Sequence, residues 1–261
     1  MSNGVVIMNL FLFISKLKKI CTDCISMYAA HAAFFLLLSV FPFAMLLLSV
    51  MGRFNLSAET ITDAAVHILP LQINEFFVDI LHDMQAKPGV VITSVSALVT
   101  LWSASKGILS IIKGLNRVHG IEETRGFIRL RITAALYTVL FIAMIAGALC
   151  VLMLGGALYK AVVGFALFTC FFLFVYTELP NKKINVLSQL PGALFCSVGW
   201  LGFSWAFSFY INNIVNYSYM YGSLTSVVLL MLWLYFCMYI LFVGGSFSEI
   251  VQSAECRAHK L

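Results

Sequence analysis

Val227-Val228-Leu229-Leu230-Met231-Leu232-Trp233-Leu234 is apolar at every position, and this run decides the fold. A strand can cross a bilayer only within a closed barrel, as segments of about ten residues that alternate polar and apolar. This run does not alternate, so it reads as helix. Extended outwards to 223–248 it can span a hydrocarbon core of about 30 Å, which takes roughly 20 apolar residues. Comparable stretches occupy 25–52, 89–112, 132–154, 157–176 and 186–210.

Composition agrees with that reading. With 62% hydrophobic and 10% charged residues and a mean hydropathy of +0.99, the chain cannot fold around one water-soluble core without a greasy exterior. Lipid must be its solvent. The fold class is all-α: a polytopic membrane protein with six transmembrane helices in a single membrane domain over 1–261. Its only large extramembrane segment is the loop 53–88, and no sequence is left over for a soluble catalytic domain.

Basic residues near membrane ends stay on the cytoplasmic side. Lys16, Lys18 and Lys19 precede the first helix; Lys113, Arg117, Arg125, Arg129 and Arg131 lie around the second link; Lys182 and Lys183 occupy the fourth; Arg257 and Lys260 follow the sixth helix. The other side holds Arg53, Lys87 and Lys160. Both termini are therefore expected in the cytoplasm of a bacterial cell, with the chain in its inner membrane and the 53–88 loop in the periplasm. The net charge of +5 is spread as orientation signals rather than gathered in one basic patch with interleaved aromatics, so no nucleic-acid partner is expected. The run 5–14 lacks a preceding basic residue and a cleavage site. It is also too short to span, and reads as an interfacial helix.

The 53–88 loop is patterned for helix. Ile73, Phe76, Phe77, Ile80, Leu81 and Met84 share one face, with Glu75, Asp79, His82 and Asp83 opposite. Ile61, Ala64, Ala65, Ile68 and Leu69 form a shorter amphipathic piece that ends at Pro70. These helices suit a structural cover on the bundle or a lid over a substrate entrance. Cys150, Cys170, Cys196 and Cys237 lie in apolar helices, where a thiol is usually a small hydrophobe. Cys21 and Cys24 have C-x-x-C spacing without the second pair that four metal ligands require.

The second helix carries a finer pattern. Thr93, Ser96, Thr100, Ser103, Gly107, Ser110 and Gly114 recur at steps of three and four, a stripe of small and hydroxylated residues along one face. Such a stripe serves either as a tight helix seam or as a polar wall of a cavity. Lys106 is the one basic residue inside an apolar span, a little over one turn past its centre. A charge at midplane costs roughly 2.5–3.5 kcal/mol on insertion scales, so Lys106 should snorkel to headgroups, pair with Glu249 near the cytoplasmic end of the sixth helix, or position an anionic headgroup. Ser103 and Lys106 also match S-x-x-K, without the partner motifs of an acylating enzyme. H-E-x-x-H, G-x-S-x-G, Walker A and buried carboxylate clusters are all missing. Neither an enzyme nor a cofactor or metal is expected.

Three stretches together carry a family resemblance: Ala32-Ala33-Phe34-Phe35-Leu36-Leu37-Leu38-Ser39-Val40-Phe41-Pro42; Leu115-Asn116-Arg117-Val118-His119-Gly120-Ile121-Glu122-Glu123; and the span containing Tyr217, Tyr221-Gly222-Ser223, Leu232-Trp233-Leu234-Tyr235 and Gly244-Gly245. With Leu190-Pro191-Gly192-Ala193 between them, they resemble the YihY/BrkB family of bacterial inner-membrane proteins, once labelled ribonuclease BN. The resemblance implies six membrane helices in the inner membrane. The ribonuclease label finds no support in the residues, which offer no acid or histidine cluster for metal-assisted phosphodiester hydrolysis. Many members close the last helix with Gly-Ala-Glu; here Ser246 takes the acidic position and Glu249 follows about a turn later.

Two functions fit. One is a transporter or flippase-like protein for a lipid or amphipathic envelope substrate, with membrane lipids as partners and Thr93, Ser96, Thr100, Ser103, Lys106 and Glu249 as substrate-binding residues. The other is a non-transporting scaffold that supports envelope assembly or resistance to host killing. A wet hydroxyl stripe favours the first, a dry one the second.

Overall fold

The structure, a computed structural model, describes residues 25–54, 90–152, 156–182, 184–213 and 225–258. They form six helices: α1 (Ile25–Phe54), α2 (Val90–Val118), α3 (Phe127–Leu152), α4 (Ala157–Glu178), α5 (Val186–Asn213) and α6 (Thr225–Ala258). No strand occurs among the described residues. Five helices contain stretches long and apolar enough to cross a membrane: Ser94–Val118, Phe127–Ile145, Leu158–Glu178, Val186–Ile211 and Val227–Gln252. The remaining helix, α1, contributes the shorter apolar stretch Ile25–Val40 within its 30 residues. The 53–88 loop beyond Phe54, the run 5–14, the Cys21/Cys24 pair and most of the tyrosine-rich link 211–222 lie outside the described residues.

Several helices overrun the apolar stretches. α2 continues to Val118 rather than stopping at 112, α3 begins at Phe127 rather than 132, and α6 continues to Ala258 rather than 248. A helix satisfies its own backbone in water as well as in lipid, so it ends where a cap stops it, not where hydrophobicity fades. The cap of α2 is explicit. The Ile121 N–H donates to the Asn116 carbonyl (2.8 Å) and the Gly120 N–H to the Arg117 carbonyl (3.2 Å), with Gly120 at φ +63°. This is a Schellman ending, whose left-handed residue is usually glycine.

α1 packs most extensively on α2; α6 packs on α5, α1 and α2; α3 joins α2 to α4, and α4 lies on α5. The main core gathers Ala29 and Ala32 of α1, Ile108, Ile112 and Leu115 of α2, Phe172 and Tyr176 of α4, Ala193 and Cys196 of α5, and Leu241 and Phe242 of α6. A second cluster joins Phe207 and Ile211 to Leu229, Leu230 and Trp233, and the Trp233 indole donates to Ser204 Oγ at 3.1 Å.

Lipid tails are as apolar as leucine, so helices in a bilayer associate by close packing and by hydrogen bonds rather than by hydrophobic exclusion. Glycines supply the close packing here. A methyl group on Gly192 would strike Ser248 Oγ and the Gly244 carbonyl, and one on Gly244 would strike Tyr176 Oη. That tyrosine is fully buried and donates to the Leu241 carbonyl at 2.6 Å. The outward faces are correspondingly greasy: Leu136, Leu158, Val162, Val198 and Trp205 are all exposed.

Candidate functional site

Among the residues of the hydroxyl stripe, Ser96, Thr100, Ser103 and Ser110 are buried. Thr100 donates back to the Ser96 carbonyl at 2.7 Å, and Ser110 donates across to the Tyr28 carbonyl of α1 at 3.0 Å. The space above Gly107 is filled by Leu36, whose Cγ stands 3.1 Å from where a methyl would lie, and the space above Gly114 by the Phe242 ring. Ser103 Oγ has no partner among the described residues. The side chain of Thr93 lies outside the described residues. From Ser96 to Gly114, then, the stripe is a seam closed by α1 and, at its far end, by α6.

Lys106 points away from that seam. Its ammonium sits over the Trp102 ring, 3.8 Å from the centroid, and 4.7 Å from that of Phe35 in α1. The sequence leaves three expectations for Lys106, namely snorkelling, a pair with Glu249 or an anionic headgroup; the contacts seen are these two rings. Aromatic faces stabilise a cation electrostatically, by roughly 2 kcal/mol or more where water is excluded. Trp102 stands four residues before Lys106, hence on the same side of the helix. Glu249 is half-buried in α6 and engaged in contacts of its own.

Trp102 is also the hub of a contact with α3. The Arg131 Nη2 donates to the Trp102 carbonyl at 3.2 Å, and its guanidinium carbon lies 5.9 Å from the ring centroid. Ser105 Oγ donates to the same carbonyl at 2.9 Å. Between α2 and α3 opens a groove of about 550 Å³ lined by Leu98, Val99, Leu101, Trp102, Ser105, Arg131 and Ala135, within the roughly 300–1,000 Å³ of small-molecule sites. It faces outwards rather than into the bundle, since Leu98 is 69% and Trp102 53% exposed. Its wall is apolar except for Arg131 and the Ser105 hydroxyl.

This groove is not legible in the charge pattern, where Arg131 is an orientation signal only; the four-residue spacing of Trp102 and Lys106 is the sequence signal that points to it.

A second polar cluster lies at the ends of α2 and α4. Asn116, only 2% exposed, donates to Glu123 Oε2 at 2.7 Å and accepts the Asn181 N–H at 2.9 Å. Arg125 grips Glu123 with two parallel bonds of 2.7 Å and reaches the Leu179 carbonyl at 3.4 Å. Asn181 closes the loop by donating to Thr124 Oγ1 at 2.8 Å. Partial burial works to raise the Glu123 pKa, but the bonds from Arg125 and then Asn116 outweigh it and hold the carboxyl below its usual range. Next to this knot, burial of His119 pushes its pKa down to about 4, and its Nε2 has no partner among the described residues. Among the described residues no group of three or more His, Cys, Asp and Glu could hold a metal ion.

Fold and site together define an all-helical polytopic membrane protein with a laterally open, cation-edged groove. Residues 17–260 match the family described as Virulence factor BrkB, and the chain belongs to that family. It is 28% identical over 247 residues to the putative ribonuclease-like protein YfkH of Bacillus subtilis (strain 168), covering 87% of this chain and 90% of that one. It is 27% identical over 260 residues to a UPF0761 membrane protein of Vibrio atlanticus (strain LGP32), covering 92% and 82%. A UPF0761 membrane protein of Pseudoalteromonas atlantica (strain T6c / ATCC BAA-1087) is 25% identical over 254 residues, covering 88% and 82%. No solved structure matches the chain.

Proposed function

We propose that this protein takes an amphipathic or lipid substrate laterally from the bilayer into the groove between α2 and α3 and moves it across the membrane, as a transporter or flippase-like protein. The observation that supports the reading is the groove itself: an open, largely apolar concavity of about 550 Å³ with Arg131 on its edge. Apolar lining suits an acyl chain, and a cation at one edge suits a polar head. In this reading the chain lies in the bacterial inner membrane with both termini in the cytoplasm, as the charge bias of its links suggests. Lys106 then stands beside the groove, Ser96, Thr100 and Ser103 lie in the packed seam of α2, and Thr93 and Glu249 stay candidate substrate-binding residues. Catalysis plays no part.

The test is translocation in proteoliposomes carrying a headgroup-labelled phospholipid. With the purified chain present, label in the inner leaflet should become accessible to an impermeant quencher faster than in protein-free vesicles. Equal rates would remove the transport reading. They would favour the scaffold reading, which the seam between α1 and α2 supports: Ser110 bonded to Tyr28 and Leu36 seated on Gly107 make a packed joint, suited to holding an envelope assembly together.

A further inference from the structure

The structure places two cations against one indole. Lys106 and Arg131 each lie within 6 Å of the Trp102 centroid, so the charges are no further apart than those two distances combined. Charge beside an apolar surface is costly in a membrane protein, and such residues pair with an opposite charge or mark a substrate path. Protein ring faces and one backbone carbonyl satisfy these two only in part.

We infer that the α2–α3 groove is a binding site for an anionic phospholipid of the leaflet that faces the 119–126 link. Its phosphate is held at Arg131 with Lys106 adding to the potential, and one acyl chain lies along Leu98, Val99, Leu101 and Ala135. Arg131 stands in the second turn of α3, which starts at Phe127, so its guanidinium is near the end of that helix where headgroups are. A planar guanidinium donates two parallel bonds to a phosphate. The Nη2 bond to the Trp102 carbonyl aims the side chain across the mouth of the groove. Trp102 lies between the cations, with its ring within 6 Å of both.

The proposal builds on the lateral groove of the preceding reading but not on transport. Trp102 is the exposed reporter, against a background from half-buried Trp200 and buried Trp233 that a Trp102→Phe variant subtracts. The full chain carrying Trp205→Phe, which removes an exposed indole on α5, is reconstituted in vesicles of dibrominated phosphatidylglycerol or dibrominated phosphatidylcholine mixed with unbrominated lipid, and quenching gives the relative binding constant. Near a membrane surface each cation contributes about fivefold to anionic-lipid affinity. Phosphatidylglycerol should therefore be preferred by about twenty-five-fold, Arg131→Gln should lose about fivefold of that preference, and Arg131→Lys should keep most of it. Circular dichroism confirms that each variant is helical. Should Arg131→Gln fail to fold, Lys106→Gln carries the same test. Equal quenching by the two lipids, or a preference untouched by both neutral variants, overturns the site. A clear preference without lipid translocation would leave the site standing and remove only transport, whereas translocation without preference would do the reverse.

Discussion

Replacing Gly192 by alanine should drive α5 and α6 apart, and the geometry sets the size of the effect. The added methyl would sit inside van der Waals contact of Ser248 Oγ and the Gly244 carbonyl oxygen, and 3.1 Å from the Gly244 carbonyl carbon. A serine hydroxyl can rotate away. The carbonyl is part of the α6 backbone and cannot, so the helices must separate or tilt. Overpacking of this kind costs about 1–3 kcal/mol. Separation also lengthens the bond from the Gly192 N–H to Ser248 Oγ, 3.0 Å and buried, at about 1 kcal/mol. Alanine's better helix propensity returns about 1 kcal/mol, leaving a net loss of about 1–3 kcal/mol.

Gly202→Ala is the matched control, since it lies on the same helix and a methyl there meets nothing within 4 Å. It should be neutral or gain up to about 1 kcal/mol. The assay is reversible unfolding of the purified chain in mixed micelles titrated with SDS, followed by far-ultraviolet circular dichroism. Equal midpoints for the two alanine variants would refute the claim that the α5–α6 joint depends on a glycine at 192.

Three further expectations follow from the link regions. Because burial lowers the His119 pKa from 6.5 to about 4, the unfolded chain binds the extra proton first: its contribution is complete above about pH 6.5 and lost as pH falls to about 4, up to about 3 kcal/mol; His119→Leu should abolish that slope, and identical pH profiles for the two proteins would exclude it. Asn116→Ala leaves Glu123 short of a donor and the Asn181 N–H short of an acceptor, and should cost about 2–4 kcal/mol in the same micelle titration; a change below about 0.5 kcal/mol would mean that the knot does not tie the links. A single cysteine at Asp79 in an otherwise cysteine-free chain should react with an impermeant maleimide on cells whose inner membrane is intact, and labelling only after that membrane is opened would reverse the orientation.

The six helices were legible because hydropathy is a local property: the run at 227–234 excludes a strand whatever surrounds it. The end of α2 was not: hydropathy fades at about 112, whereas the helix runs to Val118 and stops where Gly120 takes φ +63°. Partners were not legible. Periodicity along α2 marks a face of small residues without saying whether water or another helix meets it, and α1 supplied the answer by seating Leu36 on Gly107. For Lys106 the residues leave snorkelling, a carboxylate and an anionic headgroup open; the ring faces of Phe35 and Trp102 beside it depend on the register of α1 against α2, which no composition encodes. Arg131 was hidden for the opposite reason. Topology arithmetic counts a charge once and stops asking what it touches.

The two faces of α2 bear on what kind of substrate the chain could handle. A water-soluble solute using the hydroxyl stripe would have to part α1 from α2, breaking the Ser110–Tyr28 bond and unseating Leu36, and would then expose Ala29, Ala32 and Ile108 from the core. Burial of such side chains is worth about 25 cal/mol per Å², and in a bilayer their loss of packing has no compensating contact unless another helix follows. The opposite face needs no such opening. Leu98, Val99 and Trp102 already stand exposed, in contact with whatever fills the membrane around them, and a lipid reaches Arg131 by lateral diffusion alone. In the proposed reading an acyl chain sliding along this wall exchanges one apolar contact for another at little cost, so the headgroup carries the energetic burden of a crossing, and Arg131 and Lys106 are the groups proposed to lighten it at the point where it begins.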